Sequence, residues 1–111
     1  MKSNIEELNK LFMTQIYIKE LCFENVINND LQHVVNVNIN FLNINELENK
    51  ETKVNFYNVS TNILDHGPFY QPLHLSVQDI KDCGYETARY RVFESLENSF
   101  NILCDYFEII K

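Results

Sequence analysis

The side chains able to do chemistry in this 111-residue chain are few and scattered. The histidines are His33, His66 and His74, and the cysteines are Cys22, Cys83 and Cys104. In D-H-G, Asp65 could orient the His66 imidazole, and Cys83 with His74 could serve as nucleophile and base. No spacing supports either pairing. A cysteine just before Gly84, at a helix boundary, is more often a structural thiol. A zinc ion held by His66, His74 and Cys83 would lack the closely paired ligands that mark such sites. Gly67 and Gly84, the only glycines, stand in no G-x-G context, so no phosphate-cradling loop is present. Glu46 and Glu48 fall in a charged turn, where carboxylates are usually just solvated. The sequence predicts no enzyme, no cofactor and no metal site. Binding is what remains.

Charge narrows the choice of partner. The net charge is −7, and the acidic excess runs along the whole chain without forming a tail. Nucleic acid and anionic membrane both demand a basic face, so neither is expected. A protein partner with basic character is compatible, and so is plain solubility. With 45% hydrophobic and 23% charged residues, the composition is that of a globular protein. The length predicts one domain over residues 1–111, with a modest core that oligomerisation would help to stabilise. The three cysteines are odd in number and far apart, with no C-x-x-C. The opening M-K-S-N-I-E-E lacks an apolar leader core. A cytoplasmic chain with reduced thiols is the expectation. Asparagine is frequent between residues 25 and 62, but apolar residues interrupt it in strand rhythm.

The elements that would position a binding surface start with Thr14–Asn25. Ile16 and Ile18 alternate with Gln15, Tyr17 and Lys19; Leu21 and Phe23 alternate with Glu20, Cys22 and Glu24. This is a long strand whose apolar parity switches, which predicts a bulge near Lys19 and Glu20. Ahead of it, Ile5, Leu8, Leu11 and Phe12 predict a helix over 4–12 with Ser3 and Glu6 as its capping box. After a turn, Val35, Val37, Ile39 and Phe41 share one strand face opposite Asn36, Asn38 and Asn40. The asparagine side suits water or a polar partner. A third strand is expected from Lys53 to Leu64, with a second bulge or contacts on both faces. Phe69, Gln71, Leu73 and Leu75 allow a short fourth strand, which Pro72 confines to an edge. S-V-Q-D at 76–79 reads as the cap of a short helix ending at Gly84.

From Tyr85 onward the period is read as helical. Ala88, Val92, Phe93, Leu96, Phe100, Leu103, Cys104, Phe107 and Ile110 would share one broad face. Ile102, Tyr106 and Ile109 would form a second stripe facing another protein surface, or half-covered by the N-terminal segment. The expected class is α+β: a three- to four-stranded antiparallel meander packed with a long C-terminal helix.

The run I-Y-I-K-E-L-C-F-E-N resembles the first strand of the SecB family of export chaperones. The likeness is close over those residues and looser to Leu64. It implies an ATP-independent holdase for unfolded polypeptides, built as a homo-oligomer through the first strand and long helix. It implies that Glu20 and Glu24 match the acids through which that family meets the motor ATPase SecA. The chain departs from the family in having one long helix where the family has two, in lacking an acidic tail, and in carrying Val26 where Pro is common.

On this reading Tyr17, Phe23 and Tyr57 are the peptide-binding candidates. Glu20, Glu24, Ile102, Tyr106 and Ile109 are the partner-binding candidates. Large aromatics give contact area with a tolerant fit, although each is also an ordinary core residue. The competing expectation is a small acidic immunity, antitoxin or phage-type inhibitor protein that neutralises a basic partner by charge and shape.

Overall fold

A computed structural model of the chain describes residues 4–27, 29–44, 49–64, 72–81, 88–94 and 100–110. Along them run helix α1 (Ile5–Phe12) and strands β1 (Ile16–Ile27), β2 (His33–Ile44), β3 (Asn49–Tyr57) and β4 (Thr61–Leu64). Strands β5 (Leu75–Asp79), β6 (Tyr90–Glu94), β7 (Phe100–Cys104) and β8 (Tyr106–Ile110) follow. They form two antiparallel sheets of four strands, in the orders β1-β2-β3-β8 and β4-β7-β6-β5. The main core runs between them, and Ile80, Ala88 and Leu103 form a small separate cluster. Val37, Ile39, Phe41, Val54, Phe56 and Phe107 come from the first sheet, and Val77, Val92, Phe100, Ile102 and Cys104 from the second.

Helix α1 closes one end of this core. Leu8 and Phe12, one turn apart, point inward, and Phe12 meets the Phe41 ring edge-on at 5.7 Å. Asn4 caps the helix one residue after the expected Ser3, its side chain accepting from the Glu7 amide at 2.9 Å. Glu6 and Glu7 in the first turn and Lys10 in the last complement the helix dipole.

The β1–β2 ladder loses register between Ile18 and Glu20, so Lys19 is the extra residue of a bulge where the parity switch predicts one. The second parity change has a different cause from the one expected. After Tyr57 the chain leaves the first sheet at Asn58 (φ 54°) and enters the second as β4. A left-handed residue at this corner reverses which side chains point to the core.

The expected long C-terminal helix does not exist. Strands β6, β7 and β8 occupy residues assigned to it. Phe100, Ile102 and Cys104 alternate into the core; Asp105 then interrupts, and Phe107 resumes one residue out of step. An alternation with one residue inserted places apolar side chains at 100, 104 and 107, which is also helical spacing. The density of aromatic and β-branched residues is what decides for strand. Ile102 is therefore wholly buried in the second sheet, and Tyr106 and Ile109 are half-buried on opposite faces of β8. The second apolar stripe expected on that helix, facing another protein surface, is therefore absent. The expected helix cap at 76–79 is likewise strand β5, where Leu75 and Val77 alternate inward. Of the expected fourth strand, Phe69 and Gln71 lie outside the described residues, while Leu73 makes a single bridge to Ile16.

Candidate functional site

The bulge at Lys19 determines what the first sheet shows to solvent. Residues directly opposite in a ladder share a face. Before the bulge Ile16 and Ile18 are buried and Tyr17 lies on the outer side, opposite Leu42. Beyond it Leu21 and Phe23 take the core side, and Glu20, Cys22 and Glu24 the outer side. The registers then set Glu20, Asn40, Lys53 and Ile110 in one outer row and Cys22, Asn38, Asn55 and Glu108 in the next. Tyr57 and Tyr106 end the face, their rings stacked at 4.5 Å and 16°.

Side-chain contacts knit these rows across the strands. Lys19 pairs with the Glu51 carboxylate, to which Asn40 Nδ2 also donates at 3.0 Å. An ionised carboxylate only accepts, so this contact fixes the Asn40 amide with its nitrogen toward Glu51. Asn40 Oδ1 is then buried without a protein donor. The hydrogen bond and charge of Lys19, with help from Asn40, hold the Glu51 carboxyl below its usual value, and Glu51 raises the Lys19 amine in return. Asn55 Nδ2 donates to the Tyr57 hydroxyl at 3.3 Å, and Asn36 Nδ2 to Glu24 at 3.5 Å. Partial burial, with Tyr57 and two acids nearby, pushes the Tyr106 phenol up.

Glu20, Cys22, Asn38, Asn40, Lys53 and Asn55 line a shallow groove of about 190 Å³ on this face. Sites for small molecules begin at roughly 300 Å³. A small, shallow hollow on a flat sheet, lined by Leu21 and Ile39 as well as by these polar side chains, is suited to one side chain of a protein partner.

Of the expected site residues, Tyr17, Glu20, Glu24, Tyr57 and Tyr106 come together on this outer face. Phe23 and Ile109 lie on the opposite side of the sheet, and Ile102 sits in the core. Sequence reasoning placed Asn38 and Asn40 on a face for water or a polar partner, but assigned no role to Glu51, Lys53 or Asn55. The asparagine at every second position of β2 was the available signal, but β3's register across it is not written in the local pattern.

His66 and Cys83 lie outside the described residues. His74 is exposed, and its backbone amide donates to Glu94 at 3.0 Å. Among the described residues no three His, Cys, Asp or Glu side chains gather where a metal could sit, and no helix is long and apolar enough to cross a membrane. Cys104 is buried, which pushes its thiol up to about 12, with a smaller effect from Asp105; such a thiol is unreactive near neutrality.

No curated protein and no solved structure matches the chain. The kinship with the SecB export chaperones does not hold, and with it go the holdase and protein-transport readings and the SecA role of Glu20 and Glu24. The long helix that kinship requires is absent, and the family model that matches belongs elsewhere. That model is described as Immunity protein PIM8 and matches residues 1–110, so the chain belongs to the PIM8 family of immunity proteins.

Proposed function

We propose that this protein neutralises a basic protein toxin by binding it, and that the outer face of the first sheet is the main contact. The family match carries the reading, because an immunity protein acts on a protein partner. The net charge of −7 supports a basic one. The face itself has the make-up of a specific interface. It offers stacked Tyr57 and Tyr106 as rigid contact area, amide groups for hydrogen bonding, and Glu20 and Glu24 as exposed acids. The protein then works by occupying its partner and performs no reaction itself.

Co-expression tests this. Cells making a basic toxin of the same genome should grow when this chain is present and stop when it carries Glu20→Lys and Glu24→Lys together. Growth arrest with the unaltered chain, for every such toxin, would remove the reading.

A further inference from the structure

The β1–β2 hairpin is longer than the sheet that holds it. Its ladder runs from Ile16–Asn43 to Ile27–His33, but β3 accompanies β2 only as far as Val37. Beyond it the following chain still touches β2 twice, Val59 N–H donating to the Val35 carbonyl at 2.8 Å and Asn58 N–H to Asn36 Oδ1 at 3.1 Å, so the two-stranded arm is the pairs Val26–Val34 and Ile27–His33 with their turn; the molecule measures 46 Å along its longest axis against 27 and 25 Å across. A lone ribbon is marginally stable and is normally kept polar. This one carries exposed apolar side chains instead: Phe23 at its root is 49% exposed, Ile27 61% and Leu31, in the turn, 85%. Leu31 also has φ 59°, a conformation that suits glycine or asparagine and strains leucine. Neither burial nor backbone geometry explains a leucine there.

The charge around the tip shows what would cover it. From Glu20 to Asn49 the sequence contains no Lys or Arg, while Glu20, Glu24 and Asp30 lie on the arm or at its base. A second copy of the chain would bring the same acidic arm and a further net charge of −7, so like charges oppose that pairing. A convex apolar tip with an acidic surround is complementary to an apolar cleft with a basic rim.

We propose that the arm is a second anchor, inserting Ile27 and Leu31 into a cleft of the toxin while Glu24 and Asp30 meet basic residues at its rim. This rests on the neutralisation reading above and adds to it where the partner is gripped and what shape it has. A cleft filled in this way would be closed to the toxin's own target.

The test is the complex of the full chain with its toxin, measured for affinity and dissociation rate. Leu31→Asn is the cleanest variant, because asparagine tolerates the left-handed turn and leaves the fold intact. It should keep the melting temperature and weaken binding at least tenfold, chiefly through faster dissociation; Ile27→Thr should act in the same direction. Wild-type affinity in both variants, with binding lost in a Glu20→Lys chain, would overturn the arm and spare the outer face. If the variants instead split a dimer of this chain without touching toxin affinity, the occupant is a second copy and the proposal fails. If the unaltered chain binds no toxin, the neutralisation reading fails and takes the arm's partner with it.

Discussion

At the scale of single residues, Glu51 gathers more interactions than its place on a surface strand would suggest. It holds Lys19, the bulge residue, across β2 and accepts from Asn40 on the way. Its carboxyl is more acidic in the folded chain than unfolded, so its contribution is present above the ordinary value of 4.5 and is lost as pH falls through the lower folded value. Urea midpoints taken from pH 6 downward should fall less steeply in Glu51→Gln than in the unaltered protein. Cys104 acts at the other end of the scale. Its thiol is raised from 9.0 to about 12 by burial, so the unfolded chain releases the proton first and stability falls between those values. Each pH unit there removes about 1.4 kcal/mol. Cys104→Ala should flatten the alkaline limb, measured as the slope of stability against pH between 9 and 10.5. The bulge at Lys19 was legible in the sequence because a parity switch needs an inserted residue. Its partner Glu51 was not, because that contact depends on the register of a strand two positions away in the sheet.

At the scale of elements, the two places where the chain changes sheets are tied to each other. Asn58 donates its backbone amide to Asn36 Oδ1 at 3.1 Å and its side-chain amide to Asp105 at 3.4 Å. Asp105 donates its backbone amide to the Tyr57 carbonyl at 3.0 Å, and Ser60 does the same to Leu103 at 2.9 Å. Asparagine accepts the left-handed φ of Asn58 at small cost, whereas a β-branched residue does not. Asn58→Val should destabilise the protein by about 2 kcal/mol in urea unfolding, from backbone strain and lost hydrogen bonds. Asn58→Gly should lose distinctly less. These corners also explain the largest misreading of the sequence. Alternation broken once at Asp105 imitates a helical period from Phe100 to Ile110. Only the excess of Phe, Tyr and Ile over helix formers argued otherwise. Strands β1 and β2, with no corner inside them, were readable from pattern alone. Helix α1 was too, because Leu8 and Phe12 sit one turn apart beside a polar flank.

At the scale of the whole molecule, the two sheets differ in what they show to solvent. Arg89 and Arg91 belong to the second sheet and its approach, where Arg89 pairs with Asp79 at 3.7 Å and Arg91 lies over the Phe93 ring at 4.2 Å. The outer face of the first sheet carries Glu20, Glu24 and Glu51 with Lys19 and Lys53, and ends in the stacked Tyr57 and Tyr106. The sequence announced a protein partner through the absence of any catalytic spacing and through its charge. It could not say which surface, because Tyr17, Glu20, Glu24, Tyr57 and Tyr106 converge only once three strand registers are set. The most direct test is calorimetric titration of the purified toxin with this chain at low and high salt, for the unaltered protein and for Glu20→Lys, Glu24→Lys. The account predicts tight one-to-one binding that weakens roughly tenfold or more with salt, and a charge-reversed variant that binds far less while melting as before. Equal affinity in both proteins at both salt levels would contradict it.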